Sequence, residues 1–149
     1  MSYDPITINN GINNTPSSKI ADRFINGSGS TFAKGKVVRV DSSNELQVVD
    51  ISVKQQVYSI FGAIDESLAD GESGVVISKG RIQNVTTTSS VGDVIYLSKT
   101  SEISSIVPEV GSNGFLEGDF IVRVGFIIQN EANPLLKDLM VDIQIIAQL

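Results

Sequence analysis

An all-β fold, a small barrel or sandwich of about nine short strands with an irregular N-terminal arm, is what this sequence predicts. Three observations carry that expectation. Ile and Val together make up roughly a quarter of the 149 residues, and β-branched side chains favour the pleated sheet. Short apolar runs are separated by Gly, Asn, Asp and Ser about every 8–12 residues, the rhythm of strands and turns. The last run, Leu139 to Ala147, alternates, with Val141, Ile143 and Ile145 on one side and Asp142 and Gln144 on the other.

Residues 1–33 are rich in Asn, Ser, Gly and Thr and hold no sustained period, which reads as an N-terminal arm. Within it a short helix over 17–25 would gather Ile20, Phe24 and Ile25 on one face, with Gly27 as its stop. The arm's apolar side chains are too sparse for a core of their own and too many for a solvated tail. Ile20, Phe24, Ile25 and Phe32 are therefore the candidate partner-interface residues, on a neighbouring subunit or another protein surface, or as a cap on the chain's own barrel.

Residues 34–149 form the expected β-barrel domain. It opens with a hairpin, Lys36–Val40 and Glu45–Val49, joined through Asp41-Ser42-Ser43-Asn44. Further strands are expected at Val57–Ile64, Gly74–Ile77, Arg81–Val85, Val94–Leu97, Ile103–Val107, Phe120–Ile128 and Leu139–Ala147. Asp70-Gly71 reads as a turn, and Gly80 and Gly92 as tight turn positions. Gly125, inside a strand, suggests a bulge or a close backbone approach. Asn130 to Asp138, with Pro134, reads as an added loop before the final strand.

Composition bounds the chemistry. The chain has no Cys and no His, which removes thiolate metal sites, thiol nucleophiles and every Ser-His-Asp or Cys-His centre. A protein without catalytic, metal or cofactor residues is the expectation. Net charge is −6, against a nucleic-acid partner. The charge is uneven: residues 1–60 carry six basic and five acidic side chains, and residues 61–149 five and twelve. Apolar runs fall far short of the roughly 20 residues of a membrane helix, and the opening residues lack the pattern of a secretory signal, so synthesis in the cytoplasm is expected.

Three local motifs fail on spacing. Gly27 to Lys36 resembles a phosphate loop, but Ser30 stands where a glycine is required and Val37 where Ser or Thr is required. The acidic stretch Asp65 to Glu72 matches no standard calcium loop. Gly62-Ala63-Ile64-Asp65 resembles a segment of trimeric dUTPases, yet Leu68-Ala69-Asp70-Gly71 stands where that family has Tyr-Arg-Gly-Glu.

A longer ordered pattern remains. It runs through Gly35-Lys36-Val37-Val38, Ile60-Phe61-Gly62-Ala63-Ile64 and Asp70 to Ile82, with Ser78-Lys79-Gly80-Arg81 near its end. It continues through Val91-Gly92-Asp93-Val94-Ile95-Tyr96-Leu97-Ser98, Pro108 and Val122-Arg123-Val124-Gly125-Phe126-Ile127-Ile128. In this order the segments, over roughly residues 34–149, resemble the decoration (cement) proteins of tailed-bacteriophage capsids and related head-fibre-base modules. The resemblance implies a virion structural protein that binds the outer capsid surface, stabilising the head or seating a fibre. It also implies the major capsid protein as partner and a homotrimer, with neither nucleic acid nor membrane bound. A tail, baseplate or fibre-attachment module, and a carbohydrate-binding or enzymatic β-domain, are the alternatives. The chain departs from that family at Ser101-Glu102-Ile103-Ser104, where a Gly-x-Leu-Thr turn is common.

Overall fold

The computed structural model describes residues 19–149. Their elements are β1 (Ile20–Asn26), β2 (Val37–Val40), β3 (Glu45–Gln47), α1 (Lys54–Tyr58), β4 (Ile60–Ile64), β5 (Ser73–Ile82), β6 (Val94–Leu97), β7 (Ile103–Ser104), β8 (Phe120–Gln129) and β9 (Lys137–Gln148). The fold is all-β, with one short helix. Strand order is β1-β3-β2-β4-β5-β9-β8-β6-β7, and β1 also pairs with β5. The first five strands in that order thus close into a barrel, and the other four extend it as a sheet.

β5 joins the two halves. Along Ser73–Lys79 it pairs with β1, from Ile25↔Ser73 to Ile20↔Lys79. Its last residues pair with β9, from Lys79↔Asp142 to Ile82↔Leu139. Alternation along the barrel strands then fills two cores at once. Val38, Ile64 and Val76 join Phe32, Leu46 and Leu68 inside the barrel. Their chain neighbours Val37, Ala63 and Ile77 point outward, against Ile95, Val122, Val124, Ile127, Leu139 and Val141 of the sheet. Burying each such aliphatic side chain contributes about 1.5–3 kcal/mol. Two-sided burial is why these strands read as continuous apolar runs.

Gly125 is a bulge, as the sequence suggests: the β8–β9 register shifts between Arg123 and Gly125. A Cβ there would stand 1.8 Å from the Met140 carbonyl oxygen. Gly62 is under the same constraint, 1.9 Å from the carbonyl oxygen of Ile77. In both places strands approach too closely for any side chain.

The structure departs from expectation at several elements. The helix over 17–25 is not formed: residues 17 and 18 lie outside the described residues, and residues 20–26 are strand β1. A segment of that length is too short to hold a helix alone, whereas β5 offers it a ladder of six paired positions. The barrel therefore takes in part of the segment read as an arm; residues 1–18 of that arm lie outside the described residues. Val57–Ile64 divides into the end of α1, where Val57 is buried, and β4. Gly74–Ile77 and Arg81–Val85 fuse into β5, and Gly80 sits within the strand rather than at a turn. Ile103–Val107 shortens to β7, leaving Ile106 and Val107 exposed.

Candidate functional site

The four residues singled out as interface candidates separate. Phe32 is buried and bridges to Leu68, each backbone N–H donating to the other's carbonyl at 2.8 Å. Phe24 is partly buried against the barrel core, edge-on to Phe61 with ring centroids 4.9 Å apart. Both aromatic rings therefore serve the chain's own barrel, and Phe32 is withdrawn from any partner. Ile20 and Ile25 are exposed. Five residues apart on one strand, they face opposite sides, so no shared apolar face forms.

The loop after β1 is closed by its own side chains. Asn26 is buried; its Nδ2 donates to the carbonyls of Ser30 (2.7 Å) and Leu68 (3.0 Å), and its Oδ1 accepts from the Ser28 N–H at 2.9 Å. The Gly29 N–H donates to Asp70 Oδ1 at 2.8 Å. An anion would meet a carboxylate here, and the strand β2 follows instead of a helix.

Shallow grooves among the described residues include the following three. One, of about 390 Å³, lies between α1 and the end of β9. There Tyr58 stands edge-on to Phe120 at 6.2 Å, with Lys54 Nζ 5.8 Å from its ring centre. A second, of about 380 Å³, runs between Thr86–Ser89 and Ile103–Ile106 and is lined by hydroxyls and two Ile side chains. The third, of about 420 Å³, holds Asp50 and Lys99. Asp50 there accepts from the Ser52 hydroxyl at 2.6 Å and its N–H at 2.9 Å, which holds its carboxyl below the usual range. Lys99 is paired with Asp119 at 2.7 Å. Among the described residues no cluster of three or more carboxylate, His or Cys side chains gathers to hold a metal ion.

No protein-family model matches this chain, and no curated protein matches it.

Among the described residues the two most exposed large apolar side chains are Leu135, at 88%, and Leu116, at 62%. Both stand on loops held by buried polar groups. Asp119, 2% exposed, accepts from the Leu116 N–H at 2.8 Å while bound to Lys99. In the loop before β9, Asn130 Oδ1 accepts from the N–H groups of Ala132 (3.0 Å) and Asn133 (2.9 Å). Asn133 Oδ1 accepts in turn from the Leu135 N–H at 3.0 Å. Asn130 Nδ2 reaches Asp138 at 3.0 Å, and Asp138 is fully buried. Sequence reasoning missed both leucines. An isolated Leu in a polar loop carries no signal of its own; a loop before the final strand was legible, but it spans residues 130–136, because Lys137 and Asp138 already belong to β9.

Proposed function

We propose that this chain is a structural protein of a tailed-bacteriophage virion, bound to the outer capsid surface as a decoration or cement protein. It assembles as a homotrimer on the major capsid protein, covering seams between capsid subunits or seating a fibre. The ordered segments from Gly35 to Ile128 support this reading, and so does the absence of His and Cys from the chain.

The observation that carries it is the pair Leu116 and Leu135. Each is an apolar knob on a loop fixed by a buried carboxylate or its Asn partner. A knob held in place before docking loses little conformational entropy on binding, which suits a protein that stabilises a lattice. The outer edge of β7, at the open end of the sheet, gives a second reason for self-association.

Quantitative mass spectrometry of purified parent particles tests the reading. A fixed stoichiometric ratio to the major capsid protein is expected. A few copies per particle, fractionating with tails, favours a tail or baseplate module, and absence from particles contradicts a virion role. Light scattering of the pure protein is expected to give three times the 15.9 kDa chain mass.

A further inference from the structure

Two Asn-Gly pairs stand among the described residues, Asn26-Gly27 and Asn113-Gly114. Before a glycine, an asparagine side chain is open to attack by the next backbone nitrogen, because no Cβ shields that nitrogen. The fold treats the two pairs in opposite ways.

Asn26-Gly27 is held at both reacting atoms. The Asn26 side chain is fully buried, and its carboxamide is hydrogen-bonded to Ser28, Ser30 and Leu68. The attacking atom would be the Gly27 nitrogen, whose N–H donates to the Leu46 carbonyl at 3.1 Å. The Asn26 N–H donates to the Glu72 carbonyl at 2.9 Å, and its own carbonyl accepts from the Gly71 N–H at 2.7 Å. Attack would require breaking this set of bonds at the end of β1.

Asn113-Gly114 is held by much less. φ is +52° at Asn113 and +82° at Gly114, and the Phe115 N–H donates to the Ser112 carbonyl at 3.0 Å. Positive φ at both central positions marks a type I′ turn, which prefers Asn-Gly. Phe115 is buried and anchors the turn, while Asn113 and Gly114 are both exposed. The Asn113 carboxamide has one hydrogen bond, Nδ2 donating to Ser112 Oγ at 3.1 Å. Among the described residues no acceptor meets the Gly114 N–H. Water therefore reaches the nucleophile, the carbonyl it attacks and the leaving amine.

We propose that Asn113-Gly114 is a site of spontaneous covalent modification, at which a neutral side-chain amide becomes a carboxylate. Hydroxide removes the Gly114 amide proton, and that nitrogen forms a bond to Asn113 Cγ. The Cγ–Nδ2 bond breaks and ammonia leaves, which closes a cyclic imide. Water opens the imide at either carbonyl and gives aspartate or isoaspartate, with no oxidation or reduction. Each modified chain gains a negative charge on the turn just before Leu116. In the isoaspartyl product the main chain runs through the former side chain, so the turn from Ser112 to Phe115 cannot close as before. The modification does not depend on the proposed virion role.

Heavy-oxygen labelling tests it. The full chain is incubated in mildly alkaline buffer made with heavy-oxygen water, then digested after Lys and Arg in ordinary water. Digestion places Asn26 on residues 24–34 and Asn113 on residues 100–123, each the sole asparagine of its peptide. Asn10-Gly11, outside the described residues, falls on a separate peptide. In the folded chain, label is expected to enter 100–123 at least about tenfold faster than 24–34, since Asn26 must first break buried hydrogen bonds. In urea, where the fold no longer separates the pairs, the two rates are expected to agree within about threefold. Asn113→Gly keeps a pair suited to the turn and is expected to abolish label in 100–123 while leaving 24–34 unchanged. Label entering 100–123 no faster than 24–34 in the folded chain would overturn the proposal. So would label on 100–123 that survives Asn113→Gly, or a tenfold gap that persists in urea, because the fold would then not be its cause.

Discussion

Asp138 and Arg81 form a 2.7 Å ion pair at the seam between barrel and sheet, with the carboxylate wholly buried. The same carboxylate accepts from the Asn84 N–H at 2.9 Å and from Asn130 Nδ2 at 3.0 Å. One side chain therefore ties together β5, the segment after it, the loop before β9, and β9 itself.

Removing that carboxylate leaves a guanidinium and two amide donors without their acceptor. Asp138→Ala is expected to cost about 3–5 kcal/mol, the range for breaking a buried pair from one side. At this chain length that lowers the melting temperature by about 10 °C. Asp138→Asn, which keeps the shape and loses the charge, is expected to fall between. Scanning calorimetry checks both, and an unchanged transition in Asp138→Ala would contradict the clamp.

The same group sets an acid limit. Burial acts to raise the Asp138 carboxyl, but it is outweighed by hydrogen bonds from Asn84, Asn130 and Arg81 together with the Arg81 charge, which hold it below 3.8. Asp41 is lowered as well, chiefly by the Glu45 N–H, and Asp50 chiefly by the Ser52 hydroxyl. A carboxyl lowered on folding contributes stability that is complete above its unfolded pKa and lost as pH falls through its folded one. Melting temperature is expected to hold from about pH 7 to 5 and to drop below about pH 4. In Asp138→Asn that drop is expected to be shallower.

The residues of β1 and its loop separate by burial. Phe24→Ala and Phe32→Ala are each expected to cost about 3–4 kcal/mol by emptying the barrel core. Ile20→Ser and Ile25→Ser, at exposed positions, are expected to stay within about 0.5 kcal/mol. Urea unfolding of the four variants measures the difference. Equal losses at all four would contradict the division between core and surface.

Leu116→Asp and Leu135→Asp test docking without disturbing the core. Each is expected to leave the melting transition within about 2 °C and to weaken capsid binding by tenfold or more, since a charge replaces an apolar anchor. Sedimentation with undecorated particles measures the binding. Full binding by both variants would remove the leucines from the interface.

Much of this frame was legible because it is local. The Val37–Gln47 hairpin, the turn at Asp70-Gly71 and the alternation from Leu139 onward each rest on a few adjacent residues. So does the bulge at Gly125, where a glycine interrupts an apolar strand. β1 was not legible: Ala21, Asp22 and Arg23 have no strand pattern, and their partner β5 lies some fifty residues away. The inward roles of Phe24 and Phe32 follow from that pairing and were hidden with it. The Asp138 clamp draws partners from three separate segments, which no spacing reveals. The exposure of Leu116 and Leu135 depends on those clamps.

An electron-microscopy map of the parent particle tests the proposed role most directly. The expected result is density for this all-β chain on the outer head surface, in groups of three, with Leu116 or Leu135 at the contact with the major capsid protein. A head surface without this chain would contradict it.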